Sequence, residues 1–175
     1  MEEEMKMSIA KTPLRKLIAS TMASCVVFRP PEIDIVPLPL RYEMLRSVGA
    51  PELSLQEIDN TYWYGCCVVD VKIYLFLMQY LVGKALKRED IQVSAYRNLF
   101  QEVHVGPKFG HIETGYNVLG WICMQEGLIE QAIRCFLLSE QERPFHNAAK
   151  FHFRDLLYAI FPQIEYCHAR LKQII

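Results

Sequence analysis

One stretch of the sequence, Tyr116 to Pro144, constrains the fold more than any other, because its small residues are spaced for two helices in close contact. Gly120 and Ala132 are small enough for two antiparallel helices to approach each other, and Phe136 can fill the groove that they leave. Gly127 tolerates the left-handed backbone that a tight turn after the first helix requires. The stretch therefore predicts a helical hairpin that turns at Gly127.

The same stretch resembles a tetratricopeptide repeat (TPR), a helical hairpin of about 34 residues. A proline ends its second helix, since proline donates no backbone hydrogen bond and disfavours a helical residue before it. The resemblance implies an all-α fold in which TPR-like hairpins stack into an α-solenoid behind N-terminal capping helices, with proteins as partners. The positions that carry the resemblance are Leu119, Gly120, Gly127, Ala132, Phe136 and Pro144.

A second, weaker repeat aligns with the first when the sequence is shifted by 37 residues. The two repeat units would then span about residues 76–107 and 113–144, and Asp90 would align with the turn glycine. Residues 145–175 are expected to form C-terminal capping helices, so that the helical domain covers residues 54–175. Such caps are needed because stacked hairpins require about three repeats, or good end caps, for stability.

The first helix is expected to begin at Thr12, a capping hydroxyl that proline follows at the first helical position. A flexible N-terminus over residues 1–11 precedes it, and the helix is expected to fade near Phe28. Helix is predicted nearly everywhere else, and no alternating strand pattern stands out. The apolar face of the first helix carries Leu14, Leu17, Ile18 and Met22.

The segment from Cys66 to Leu86 is strongly apolar, but Asp70 and Lys72 interrupt it. The uncharged run that follows ends at Gly83. A membrane-spanning helix needs about 20 consecutive apolar residues. We therefore predict a long buried helix here and no membrane partner.

Residues 12–50, read together, resemble a SOCS-box or VHL-box element, the segment by which substrate receptors join cullin-RING ubiquitin ligases. That element has an elongin-C-binding helix, a linker, and a cullin-selecting turn of apolar residues and prolines before another helix. The resemblance implies elongin B/C and a cullin as partners, although Ile18 stands where the family usually has cysteine or another small residue. The elongin-C-binding positions would be Pro13, Leu14, Leu17, Ile18 and Met22, and the cullin-selecting turn would be Val36, Pro37, Leu38 and Pro39.

The TPR resemblance also implies a ligand groove. In clamps that grip a peptide carboxylate, the first helix of a repeat supplies lysine and asparagine, but Trp121 stands where such clamps place asparagine. An aromatic groove suits an apolar peptide or a partner helix better; alternatively, Trp121 simply packs against the neighbouring hairpin. The groove residues would be Tyr116, Asn117, Trp121 and Met124.

Composition restricts the function further. The 19 basic and 20 acidic residues give a net charge of −1, which does not favour binding to nucleic acid. The six cysteines follow no disulfide or metal-ligand spacing, and no phosphate-binding loop is found, so no catalytic, cofactor or metal residues are predicted. Reduced thiols favour a cytoplasmic or nuclear protein. Two functions stay open: a non-enzymatic TPR-type interaction scaffold or adaptor and, as the alternative, a substrate receptor of a cullin-RING ubiquitin ligase.

Overall fold

The structure, a computed structural model, describes residues 25–47, 65–105 and 110–161. Within these ranges the chain forms six α-helices, one short 3-10 helix and a two-stranded sheet, so the predicted predominance of helix is confirmed. The elements are β1 (Cys25–Phe28), a 3-10 helix (Pro30–Glu32), α1 (Leu38–Leu45), β2 (Cys67–Asp70), α2 (Val71–Ala85), α3 (Glu89–Val105), α4 (Ile112–Gln125), α5 (Ile129–Glu142) and α6 (Ala149–Ile160).

The sheet corrects the sequence analysis, which predicted no strand. β1 and β2 pair antiparallel, with Cys25 opposite Asp70. The predicted first helix therefore does not reach Phe28. The helix predicted to be long and buried begins at Val71 and not at Cys66, and it is buried on one face only, since Leu75 and Val82 are exposed. Each strand contains two consecutive valines, whose branched side chains favour extended backbone. Asp70 ends the second strand and caps α2 by accepting a hydrogen bond from a backbone N–H two residues later, at 2.8 Å.

α2 with α3, and α4 with α5, form two helical hairpins whose turns are built alike. At the end of α2 the backbone N–H of Arg88 donates to the carbonyl of Gly83, and at the end of α4 that of Leu128 donates to the carbonyl of Cys123. Both N···O distances are 2.8 Å. This bond, from an N–H to a carbonyl five residues earlier, is the Schellman closure of a helix end.

The left-handed residues of the two turns are Lys87, with φ of 54°, and Gly127, with φ of 73°. They lie 40 residues apart (127 minus 87), so the predicted shift of 37 residues does not match the turns. Lys87, and not Asp90, is the counterpart of the turn glycine. A lysine gives no sign of this role, because left-handed backbone costs a residue with a Cβ about 1–2 kcal/mol.

The helices of the second hairpin approach closely at the predicted residues. A Cβ on Gly120 would lie 2.4 Å from the nearest ring atom of Phe136, which is fully buried. Ala132 is also fully buried. Pro144 follows the end of α5 by two residues. The local packing that the sequence predicted for this hairpin is therefore observed.

α4 lies at the centre of the described part of the fold. Every residue from Glu113 to Cys123 is buried. The helix contacts α2, α3, α5, α6, α1 and β2, and the indole of Trp121 lies edge-on to the ring of Tyr80 with 6.4 Å between centroids. A helix that is buried all round is surrounded by protein on every face.

The short helix predicted to begin at Leu40 begins two residues earlier, at Leu38. Pro39 lies in its first turn, where the absence of an N–H costs nothing. Val36 and Leu40 are buried against the rest of the fold.

Several predictions fall outside the described residues. They include the whole elongin-C-binding helix and the chain beyond residue 161, in which the last capping helix was predicted. None of the described helices combines the length and apolar character that a membrane crossing requires.

Candidate interaction surfaces

The predicted groove residues lie largely inside the protein. Tyr116, Asn117 and Trp121 are buried, and Met124 is half-buried. The chain itself covers Asn117, since Glu43 of α1 is hydrogen-bonded to it. Tyr116 and Trp121 are covered by the first hairpin, through ring contacts with His104 and Tyr80. These side chains therefore do not line an open groove.

A buried polar network fixes α1 against the second hairpin. The amide of Asn117 donates to Glu43 Oε1 at 2.8 Å and to Asn147 Oδ1 at 3.1 Å. Asn147 in turn donates to the backbone carbonyl of Ser139 at 2.8 Å, and the Ser139 hydroxyl donates to the carbonyl of Glu113 at 2.9 Å. Because buried polar groups need specific partners, this network sets the position of α1 more narrowly than apolar packing would.

Glu43 is the ionisable group of that network. Burial raises the pKa of its carboxyl, although the hydrogen bond from Asn117 and the charge of Arg46 act in the opposite direction. Arg46 is itself held by the backbone carbonyl of Cys66, at 2.7 Å from Nη1. Glu43 has almost no contact with solvent, so it serves to join α1 to α4.

The predicted cullin-selecting turn is divided between core and surface. Val36 and Pro39 are buried, and Pro37 is half-buried. Leu38 is 50% exposed, and the neighbouring Ile35 is 77% exposed. The exposed part of this segment is therefore an apolar pair, Ile35 and Leu38.

A cleft of about 330 Å³ lies where the two hairpins meet, and we name it the turn cleft. Val93 of α3 is 53% exposed on its wall. The hydroxyl of Tyr80 donates to the carboxylate of Glu126, and the ammonium of Lys84 lies 3.8 Å from the same carboxylate. The cleft is lined by Tyr80, Gln92, Val93, Tyr96, Glu126 and Leu128.

The polar groups of the turn cleft are the hydroxyls of Tyr80 and Tyr96, the amide of Gln92 and the carboxylate of Glu126, which is paired with Lys84. Burial and the hydrogen bond to Glu126 raise the pKa of Tyr80 above its usual value. Burial and the nearby thiol of Cys123 raise the pKa of Tyr96 to about 12. Both phenols are therefore protonated at physiological pH, and their rings present apolar faces with hydroxyls at the edge.

A larger cleft, of about 680 Å³, lies on the α2–α3 hairpin, and we name it the hairpin cleft. It adjoins an apolar row on α2, in which Val71, Leu75 and Val82 are exposed and Met78 is half-buried. The cleft is lined by Met78, Gln79, Val82, Asp90, Ile91, Ser94 and Asn98.

The described residues also contain thiols and potential metal ligands. The five cysteines among them form no disulfide, and no cluster of three or more potential metal ligands occurs in residues 25–47, 65–105 and 110–161. Cys123 and Cys135 are buried together between α4 and α5, and the hydrogen bond from Cys135 lowers the pKa of Cys123 to about 7.

Comparison with known proteins adds no relative: no family model, no curated protein and no solved structure matches this chain. The resemblances to TPR and box elements therefore stay predictions that depend on the residues quoted for them.

Sequence reasoning missed both clefts, although α3 carries a signal for one of them. The apolar residues that recur every four positions, beginning at Ile91, mark the buried face of this helix. Val93 lies off that face and is exposed. Val93, an apolar residue away from the buried face of an amphipathic helix, was therefore the sequence signal for the turn cleft.

Proposed function

We propose that this protein is a non-enzymatic interaction scaffold of TPR type, whose turn cleft binds an apolar segment of a protein partner. One observation carries the proposal. Two hairpins with equivalent turns stack on each other, and the turn of the second hairpin lines a cleft together with residues of the first. In this proposal the hairpins are the units of a short solenoid, with α6 as the cap that packs on α5.

The size and chemistry of the turn cleft suit a few apolar side chains. Its volume of about 330 Å³ is at the lower end of the range for ligand pockets, about 300–1,000 Å³. Val93 and Leu128 supply exposed apolar surface, and tyrosine rings are among the residues enriched at interfaces. The ion pair of Lys84 with Glu126 lies at the rim, where it can orient a partner without a large desolvation cost.

We expect Val93→Arg to weaken binding at the turn cleft by at least about tenfold, or 1.4 kcal/mol. The guanidinium would enter an apolar contact and would lose water without gaining a partner. The measurement is affinity purification of the full chain with quantitative mass spectrometry, followed by binding titration with each enriched protein. Leu137→Arg is the matched control, because Leu137 is similarly exposed but lies on α5, away from the turn cleft.

The two variants give distinguishable outcomes. A partner lost with Val93→Arg and kept with Leu137→Arg supports binding at the turn cleft. Equal binding to both variants, with circular dichroism unchanged, would contradict it.

A ubiquitin-ligase substrate receptor is the second candidate, and the exposed Ile35 and Leu38 favour it, because they leave an apolar pair accessible at the box-like turn. We expect the full chain to co-elute with purified elongin B/C in gel filtration. Leu14→Ala should weaken that complex at least about tenfold, since burying a leucine side chain contributes about 1.5–3 kcal/mol. Absence of co-elution by the folded wild-type chain would exclude this candidate.

A further inference from the structure

One helix face among the described residues is apolar and uncovered. Val71, Leu75, Met78 and Val82 follow one another at spacings of four, three and four residues, which places them on one side of α2. We name this row the α2 stripe. Val71, Leu75 and Val82 are each at least 40% exposed, and the hairpin cleft begins beside Met78 and Val82. A contiguous apolar surface of this kind commonly marks a contact site.

The second hairpin shows what covers the equivalent face of a hairpin in this protein. Because the two turns lie 40 residues apart, the α4 counterpart of Leu75 is Gly115. Gly115 lies directly against the first hairpin, since a Cβ on it would be 3.2 Å from Val103 of α3 and 3.4 Å from Ile73 of α2. The counterparts of Met78 and Val82 in α4 are also buried. This face of a hairpin is thus a helix-packing surface, and on the first hairpin it is open.

The opposite end of the stack is closed by the chain itself. Leu77, on the buried side of α2, has Asn117 as its counterpart in the second hairpin. Asn117 is fully buried and is hydrogen-bonded to Glu43 of α1 and to Asn147, which precedes α6. A second copy of the chain therefore cannot stack head-to-tail on the first, because α1 occupies the face that it would need. This geometry favours pairing of stripe with stripe around a twofold axis.

The α2 stripe is suited to such pairing, because its spacing is the same in both directions. In an antiparallel pair of α2 helices, Val71 would lie opposite Val82 of the other copy, and Leu75 would lie opposite Met78 of the other copy. A twofold interface requires this reciprocity, in which each contact occurs twice. Each α2 would also enter the groove between α2 and α3 of the other copy, where the hairpin cleft offers about 680 Å³.

Charge does not oppose this arrangement. Residues 73–83 contain no acidic or basic residue, and Lys72 is paired with Glu102 at 2.9 Å. The copy of Lys72 would face residue 81, nine residues further along α2 (81 minus 72). At 1.5 Å per residue the two ammonium groups would be about 14 Å apart along the helix axes, which exceeds the Debye length of about 8 Å at physiological ionic strength.

We propose that two copies of this protein associate through the α2 stripe, with their α2 helices antiparallel and their first hairpins together forming a four-helix layer. An interface of one helix face and one groove is at the small end of specific interfaces, so the dimer is reversible. None of the residues that line the turn cleft belongs to the stripe or to the hairpin cleft, so the dimer presents two turn clefts. The proposal stands whether or not the turn cleft binds a partner.

Sedimentation equilibrium of the full chain tests the interface. We expect the average mass to rise with protein concentration from the 20.4 kDa of the monomer to twice that value. Leu75→Glu should weaken association at least about tenfold, because an unpaired carboxylate would lose water in an apolar contact. Leu137→Glu is the matched control and should associate like the wild type, since Leu75 is 48% exposed and Leu137 is 47% exposed.

A mixture of two variants tests the antiparallel register. Met78→Lys should weaken self-association as Leu75→Glu does. Mixed together, the two variants should associate at least about tenfold more tightly than either variant alone, since the introduced ammonium and carboxylate then lie opposite each other. A mixture that associates no more tightly than its components would overturn the arrangement.

Four further results would overturn the proposal: the wild type stays monomeric up to about 100 μM, it forms assemblies larger than a dimer, folded Leu75→Glu associates like the wild type, or Leu137→Glu weakens association equally. If circular dichroism shows that Leu75→Glu has lost its fold, Val82→Glu decides in its place. Association of folded Val82→Glu at the wild-type strength would then overturn the proposal.

Discussion

Replacing Gly120 with alanine should lower the free energy of unfolding by about 3 kcal/mol, at the upper end of the usual cost of overpacking a core. The new Cβ would lie 2.4, 2.7 and 3.0 Å from three ring atoms of Phe136. That ring has little freedom to move away, because it stacks on His152 at 5.1 Å and meets Phe153 at 5.4 Å between ring centroids. Urea denaturation followed by circular dichroism measures the change.

Gly127→Ala is the matched control, since both glycines lie in the second hairpin. A Cβ on Gly127 would have no heavy atom within 4 Å, and only its left-handed φ of 73° is unfavourable for alanine. We expect a smaller cost of about 1 kcal/mol. The double variant Gly120→Ala, Phe136→Leu should lose less free energy of unfolding than the two single variants lose together, since the smaller side chain relieves the overlap. Equal costs for the two glycine variants would show that Phe136 does not limit the helix approach.

The second large effect is a loss of stability in acid that depends on His152. This residue is fully buried, and neither of its ring nitrogens has a hydrogen-bond partner within the described residues. Its ring lies against Phe136 and, edge-on, against Tyr42. Burial in these surroundings lowers the pKa of His152 to about 3.

The direction of the effect follows from that pKa. In the unfolded chain a histidine binds a proton below about pH 6.5, whereas the folded protein keeps His152 neutral. The stability is therefore complete above about pH 6.5 and decreases by up to about 1.4 kcal/mol per pH unit as the pH falls towards 3.

The variant His152→Leu isolates this contribution. We expect the wild type to lose about 2–3 kcal/mol more than the variant between pH 7.5 and pH 4.5, measured by urea denaturation at each pH. Glu43 has an opposite influence, because its raised pKa contributes stability that is lost as the pH rises above 4.5. Both proteins contain Glu43, so its effect cancels in the difference. Parallel pH profiles for the two proteins would disprove the assignment to His152.

Local sequence patterns were sufficient to predict the second hairpin. The close approach at Gly120, the filling of the groove by Phe136 and the left-handed turn at Gly127 were all predicted from residue size and backbone freedom. These steric requirements involve residues within a single helical hairpin, so they can be recognised from the amino-acid types alone. The predicted end of this hairpin before Pro144 has the same local cause.

The first hairpin and the sheet have features that local sequence patterns did not predict. Its turn residue is Lys87, and nothing in a lysine indicates left-handed backbone. The strands β1 and β2 contain four residues each and gain their hydrogen bonds only by pairing with each other, with Cys25 opposite Asp70 across the intervening chain. A pattern confined to four residues does not distinguish such a strand from the end of an apolar helix.

The predicted groove is a further case in which local sequence patterns predicted the helix but not its burial. The sequence correctly predicted a helix that contains Asn117 and Trp121 and has apolar neighbours, since the period of its apolar residues is a local property. That no face of this helix stays open depends on distant segments such as α1, whose Glu43 reaches Asn117 from 74 residues away. The open surfaces arise in the same way, since the turn cleft exists only where residues of α2, α3 and the α4–α5 turn meet. Amino-acid types specify the helices through short-range sterics and periodicity, whereas covered and open faces result from contacts between segments distant in the chain.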